Sequence, residues 1–193
     1  MSTPFTSNAQ LRMAVDEWCT DVAMTERHYG PIASWDVSRV TDMRSLFANK
    51  TRFNGDISRW DVSNVTTMRS MFYNAASFHR DLSQWRVGSV TDMSGMFEHA
   101  TRFNGDVASW NVGAVRTMER MFRNATSFDC DLSRWDVRSV VDMYALFWGA
   151  SRFNGNVSTW DVTNVVSFDR TFDAASRFNG DVSRWNVANA LTM

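Results

Sequence analysis

The sequence predicts an α/β solenoid: 25-residue strand-turn-helix units stacked with a parallel sheet along one side, behind an N-terminal capping helix. Three observations carry that expectation. Trp35, Trp60, Trp85, Trp110, Trp135, Trp160 and Trp185 recur at a constant interval of 25 residues, the signature of repeats that stack and share a core. Within each unit, apolar residues spaced two apart give way to apolar residues on one helical face. Asn-Gly then recurs at one place in four units, and marks a turn because both residues tolerate positive φ.

The chain divides into a cap, 1–34, and a repeat region, 35–193. In the cap, Leu11, Val15, Trp18 and Val22 fall on one face of a helix spanning about 8–22, with Ser7 or Asn8 as its N-cap. Gly30-Pro31-Ile32 leads into the first strand. Six full units follow (35–59, 60–84, 85–109, 110–134, 135–159 and 160–184), with a partial seventh over 185–193.

In each unit the strand comes first. Ile57, Trp60, Val62 and Val65 exemplify it, with Trp-x-Val pointing alternate residues inward. This is close to the apolar spacing of a leucine-rich repeat. The helix follows: Met68, Met71, Phe72 and Ala75 lie at i, i+3, i+4 and i+7. Thr41, Thr66 and Thr91 stand at its N-cap, and Thr117, Asp142 and Ser167 take that place where Arg116, Val141 and Val166 replace the threonine. The return carries a third core aromatic, Phe53, Phe78, Phe103, Phe128, Phe153 or Phe178. His79-Arg80 and Asp129-Cys130 stand in for Asn-Gly in two units, so glycine is not obligatory there.

With 193 residues, 44% apolar, the chain can bury a large core as one elongated domain. A net charge of -1 and a pI near 6.3 argue against a nucleic-acid partner, which needs a basic face. Residues 1–10 lack the charged and apolar regions of a signal peptide, and no stretch is apolar enough for membrane insertion, so the chain as written is expected to be soluble and intracellular. Cys19 and Cys130 lie about four units apart, roughly 19 Å at strand spacing, which is too far for a disulfide.

No catalytic residue, cofactor or metal site is expected, and the chain is read as not an enzyme. His28, His79 and His99 occupy unrelated columns, and no Ser/His/Asp order or phosphate loop is present. Asp56, Asp81, Asp106, Asp131, Asn156 and Asp181 form an acidic ladder that either caps its own turns or holds calcium; the capping reading is preferred. Arg52, Arg102, Arg152 and Arg177, four residues earlier, are expected to offset its charge.

The polar strand face is the expected partner-binding surface, carried by Arg59, Asp61, Arg86, Arg134, Asp136, Arg138 and Asp161. Tyr144 and Trp148 join it as aromatics opposite the core stripe of the fifth helix. The partner is expected to be a protein or a carbohydrate. The alternative is a structural or self-associating segment of a longer repeat array, with end-to-end self-association through the uncapped C-terminal unit.

Units such as Trp60-Asp-Val-Ser-Asn-Val-Thr-Thr-Met-Arg-Ser-Met-Phe and Arg102-Phe-Asn-Gly-Asp-Val resemble the BspA-like surface-protein repeats, also met as mycoplasma surface-lipoprotein-type repeats and in marine algae and protists. The similarity spans nearly the whole chain, and Leu11 to Trp35 resembles the cap that precedes such arrays. The resemblance implies a right-handed, leucine-rich-repeat-like solenoid acting as a noncatalytic interaction or adhesion module. Bacterial members are often at the cell surface, whereas this chain shows no signal peptide or lipoprotein cysteine.

Overall fold

Two α-helices form among the described residues, and both precede the repeats. The computed structural model describes residues 4–193; Met1, Ser2 and Thr3, the start of the expected 1–34 cap, lie outside the described residues. Helix α1 spans Asn8–Thr20, with the Ser7 side chain accepting the amide of Gln10 at its N-terminus. Asp21 ends α1 and caps α2, Val22–Tyr29, by accepting the amide of Met24. The single helix expected over 8–22 is therefore two, because an aspartate in extended conformation serves both as the stop and as the next cap. Leu11, Ala14 and Val15 bury one face of α1, while Val22, expected on that face, is exposed.

From Trp35 onward the described residues contain no strand and no helix. Their regular pairing is one isolated parallel bridge per repeat, Asp42 to Thr67, Thr67 to Asp92 and so on to Thr192. The expected right-handed, leucine-rich-repeat-like strand-turn-helix solenoid with a parallel sheet is thereby overturned. Each repeat is instead a rung built from successive turns.

The strand fails because its backbone is occupied locally. The amide of Trp60 bonds to the carbonyl of Ile57 and that of Val65 to Val62, leaving only Asp61 between two turns. The Asp56 and Asp61 carboxylates accept the amides of Ser58 and Ser63. Such side-chain to backbone bonds compete with ladder pairing. Alternation survives for three residues, with Trp60 and Val62 buried and Asp61 exposed.

The helix fails for a complementary reason. From Met68 to Ala75 the amides alternate: Met71, Tyr73 and Ala75 bond three residues back, while Met68, Ser70, Phe72 and Asn74 donate to Asp92, Ser94, Met96 and Glu98 of the next rung. Ser70 and Asn74 turn left-handed, at φ 53 and 55, and their equivalents in each full rung do the same. Left-handed non-glycine residues cost about 1–2 kcal/mol each. The inter-rung bonds they permit replace the i to i+4 bonds that a helix would have made. Thr66, expected as an N-cap, instead donates its hydroxyl to the carbonyl of Thr41. The next column accepts amides two residues on, as Asp92 does from Ser94.

The core is a set of aromatic columns. Phe47, Phe72, Phe97, Phe122 and Phe147 stack at 5.2–5.7 Å between rungs, and each also lies on the return phenylalanine of its own rung at 3.8–4.1 Å. Each buried tryptophan from Trp60 to Trp160 donates its indole N–H to a carbonyl 28 residues earlier, as Trp110 does to Leu82 at 3.0 Å. The N-terminal helix closes the first rung by imitation. Asn8 Nδ2 donates to the Asp42 carbonyl and the Arg12 guanidinium to those of Arg44 and Ser45. In the second rung the carbonyls equivalent to Asp42 and Arg44, those of Thr67 and Arg69, receive amides from the rung before.

Candidate functional site

The expected partner-binding and acidic-ladder residues, together with Asp36, fall into two groups: those that hold a turn and those that make no hydrogen bond or ion pair. In the first group, Asp36, Asp61, Asp136 and Asp161 each accept the amide two residues ahead, and Asp56, Asp81, Asp106, Asp131, Asn156 and Asp181 do the same one corner earlier. Bonds from Ser63 hold Asp61 below the ordinary aspartate range, and bonds from Thr163 do so for Asp161. For Asp136 the Arg138 guanidinium is the main cause and the carboxyl is lowered to about 2. Arg138 grips it with two bonds, 2.9 and 2.7 Å.

In the second group, Arg59, Arg86 and Arg134 are exposed and make no hydrogen bond or ion pair among the described residues. Arg59 and Arg86, from adjacent rungs, line a shallow groove of about 260 Å³ with Asp61, Ser63 and Gln84. Of the expected partner-binding residues, Arg59, Asp61, Arg86, Arg134, Asp136, Arg138 and Asp161 thus share the outward edge beside the tryptophans. Only the arginines at 59, 86 and 134 have uncommitted heads.

Tyr144 and Trp148 lie elsewhere, on the laddered turns, and no fifth helix exists to carry them. Arg123 packs over the Trp148 ring at 4.2 Å and Arg170 at 5.1 Å, while Arg120 covers Tyr144 at 4.9 Å. Arg123 also pairs with Glu98 at 2.6 Å. The rings are cation–π partners of neighbouring rungs, worth about 0.5–1 kcal/mol each at exposed sites, rather than free platforms. Sequence reading missed these arginines, although the period shows one of them: Arg123 and Trp148 are 25 residues apart and share a column.

One family model, that of Mycoplasma proteins of unknown function (DUF285), matches residues 19–135 and again 105–193. The chain belongs to the DUF285 family. The matches reach from the end of α1 to the last residue, so the turn-built rungs are the DUF285 part of the molecule. No curated protein matches the chain, and no solved structure does. No helix of the described residues is long and apolar enough to cross a membrane. Burial pushes the thiols of Cys19 and Cys130 above their usual value, which disfavours the reactive thiolate.

The turn aspartates give this DUF285 chain an acid-sensitive fold. The folded values of Asp36, Asp56, Asp61, Asp131, Asp136, Asp161 and Asp181 lie below the ordinary 3.8, so their stabilisation is complete above about pH 4 and is lost as pH falls through the folded values. Melting temperature is expected to hold from pH 7 to 5 and to drop progressively from pH 4 toward 2. A profile flat to pH 2 contradicts the capping role.

Proposed function

We propose that the chain is a noncatalytic interaction or adhesion module of the BspA-like repeat type, engaging a protein or carbohydrate through the outward edge beside the tryptophans. The observation that carries this reading is the uncommitted state of Arg59, Arg86 and Arg134 on an edge where the aspartates are held by backbone caps. Side chains that make no hydrogen bond or ion pair in their own fold, and act on the turn aspartates only through space, are free to meet a ligand with little loss of stability. Arginine in particular is enriched where partners bind. The thiols raised by burial and the scattered histidines support a noncatalytic reading. Changing Arg59, Arg86 and Arg134 to serine is expected to leave the melting temperature unchanged and to abolish binding on a glycan array or to captured protein ligands. Retained binding in that variant removes the edge from the proposal.

A second reading is a structural or self-associating segment of a longer repeat array: each rung donates amides to the next, and the same donors of the last full rung, the amides of Arg170, Phe172 and Ala174, have no acceptor among the described residues. Size measured against concentration separates the readings, since association through that end grows with concentration.

A further inference from the structure

Arg52, Arg102, Arg152 and Arg177 occupy one column of the return edge, each directly before a core phenylalanine, and all four are exposed. The expected offset of the aspartate column does not occur: none of the four forms an ion pair among the described residues, while Asp56, Asp106 and Asp181 cap their own turns. Ser77 and Ser127 stand between the arginines.

The adjacent column has its acceptors turned inward. The side-chain oxygens of Asn54, Asn104 and Asn154 accept the backbone amides of His79, Asp129 and Asn179 in the next rung at 2.8–3.1 Å. This fixes the amide groups with the oxygen spent on the fold, leaving the N–H donors of Asn104 and Asn154 for solvent. One carboxylate intrudes, Asp129, and its Oδ1 is held by the amide of Asn154 at 2.9 Å. The edge is therefore rich in donors and poor in acceptors. At its N-terminal end it opens into a groove of about 450 Å³ walled by Trp18, Cys19, Lys50, Thr51 and Arg52, where Lys50 is paired with Asp16 at 2.6 Å and Arg52 is the cation that forms no ion pair among the described residues.

We infer that this return edge binds an acidic polysaccharide laid along the stack, with carboxylates or sulfates on the arginines, hydroxyls on the serines and asparagine amides, and one chain end in the Trp18 groove. Unpaired guanidinium groups select oxyanions because they offer forked donors and no acceptor. The neighbouring phenylalanine rings repeat at 5.7–6.0 Å per rung, so Arg52, Arg102 and Arg152 follow at intervals of about 12 Å, and Arg177 comes one rung after Arg152. That periodicity suits a polymer charged on alternate sugars. A tight protein partner would need aromatic anchors in desolvated pockets beside the arginines, and a single-stranded nucleic acid would need exposed rings for its bases; the arginine and asparagine columns supply no aromatic side chain. The net charge of -1 conceals the edge, because the capping carboxylates lie in other columns. This inference concerns a different edge from the function proposed above and stands independently of it.

The test is the affinity of the full chain for hyaluronan and chondroitin sulfate decasaccharides across a salt series, beside neutral dextran, polyglutamate and an oligothymidylate. Arg102→Ser/Arg152→Ser/Arg177→Ser is expected to melt as the parent does, to lose at least about tenfold in affinity at low salt, and to flatten the salt dependence by about one power per arginine removed. Lysine at the three positions should restore part of the binding. The Arg59/Arg86/Arg134 serine variant should bind as the parent does. The inference is overturned if the parent binds neither acidic saccharide more tightly than dextran, or if the three serines leave binding unchanged. It is equally overturned if polyglutamate or the oligothymidylate binds more tightly than both saccharides.

Discussion

Trp110→Ala is expected to destabilise the protein by about 3 to 5 kcal/mol, the range for truncating a large buried aromatic. Trp110 is 2% exposed. Its ring stacks on Trp85 at 6.4 Å and leans on Phe97 at the same distance, so truncation opens a cavity between rungs fixed by hydrogen bonds on both sides. It also removes the indole donor from the carbonyl of Leu82, leaving a buried acceptor without that partner. Trp110→Phe separates the two contributions: it keeps most of the packing and leaves the Leu82 carbonyl with the Trp85 amide, so it should cost about 0.5 to 1.5 kcal/mol, the net worth of one hydrogen bond. Urea denaturation measures both. A loss below 1 kcal/mol for the alanine variant would show that the tryptophan column carries little of the core.

Gly155→Ala is the second large effect, expected at about 1 to 3 kcal/mol or more, as for other overpacked sites. A β-carbon at Gly155 would fall inside the contact distance of the Cys130 carbonyl oxygen and within 2.9 Å of the Phe153 ring. The obstruction is backbone in the adjacent rung, so no rotamer change relieves it. Gly105 meets the Arg80 carbonyl in the same way. The alternation of Asn-Gly with His79-Arg80 and Asp129-Cys130 follows: a rung without glycine brings a carbonyl toward the next, and that next rung requires glycine. At Gly180 the nearest atoms belong only to the half-buried Phe178 ring, which can move. Gly180→Ala should therefore cost clearly less than Gly155→Ala in the same urea titration, and equal losses would refute the carbonyl explanation.

The core was legible in the sequence because a fixed period makes every column visible. The buried tryptophans, the Met/Phe pairs and the return phenylalanines all stand where that period puts them. What periodicity could not reveal was the backbone's choice of partner. The spacing of Met68, Met71, Phe72 and Ala75 is that of a helical face, yet overlapping three-residue turns with left-handed Ser70 and Asn74 present the same residues inward. A helix and a stack of turns differ in where amides point, and amide direction leaves no apolar signature. The arginine edge of the candidate site was visible as residues. Its uncommitted state was not, because the sequence does not show that the aspartates are taken up by amides two positions ahead.

The direction of those amides has an electrical consequence. In the laddered turns four rows of N–H groups per rung point toward the C-terminal side and the carbonyls they meet point back, while fewer bonds, such as Thr66 to Thr41, run the other way. The peptide dipoles therefore add along the stack, as they do along a helix axis, but with the partial positive pole at the C-terminal side and the negative pole at the first rung. Arg12 and Asn8 place a full positive charge and an amide donor at that negative pole. The molecule is thus polarised lengthwise by its backbone, and the N-terminal helix sets its guanidinium where that polarity is negative.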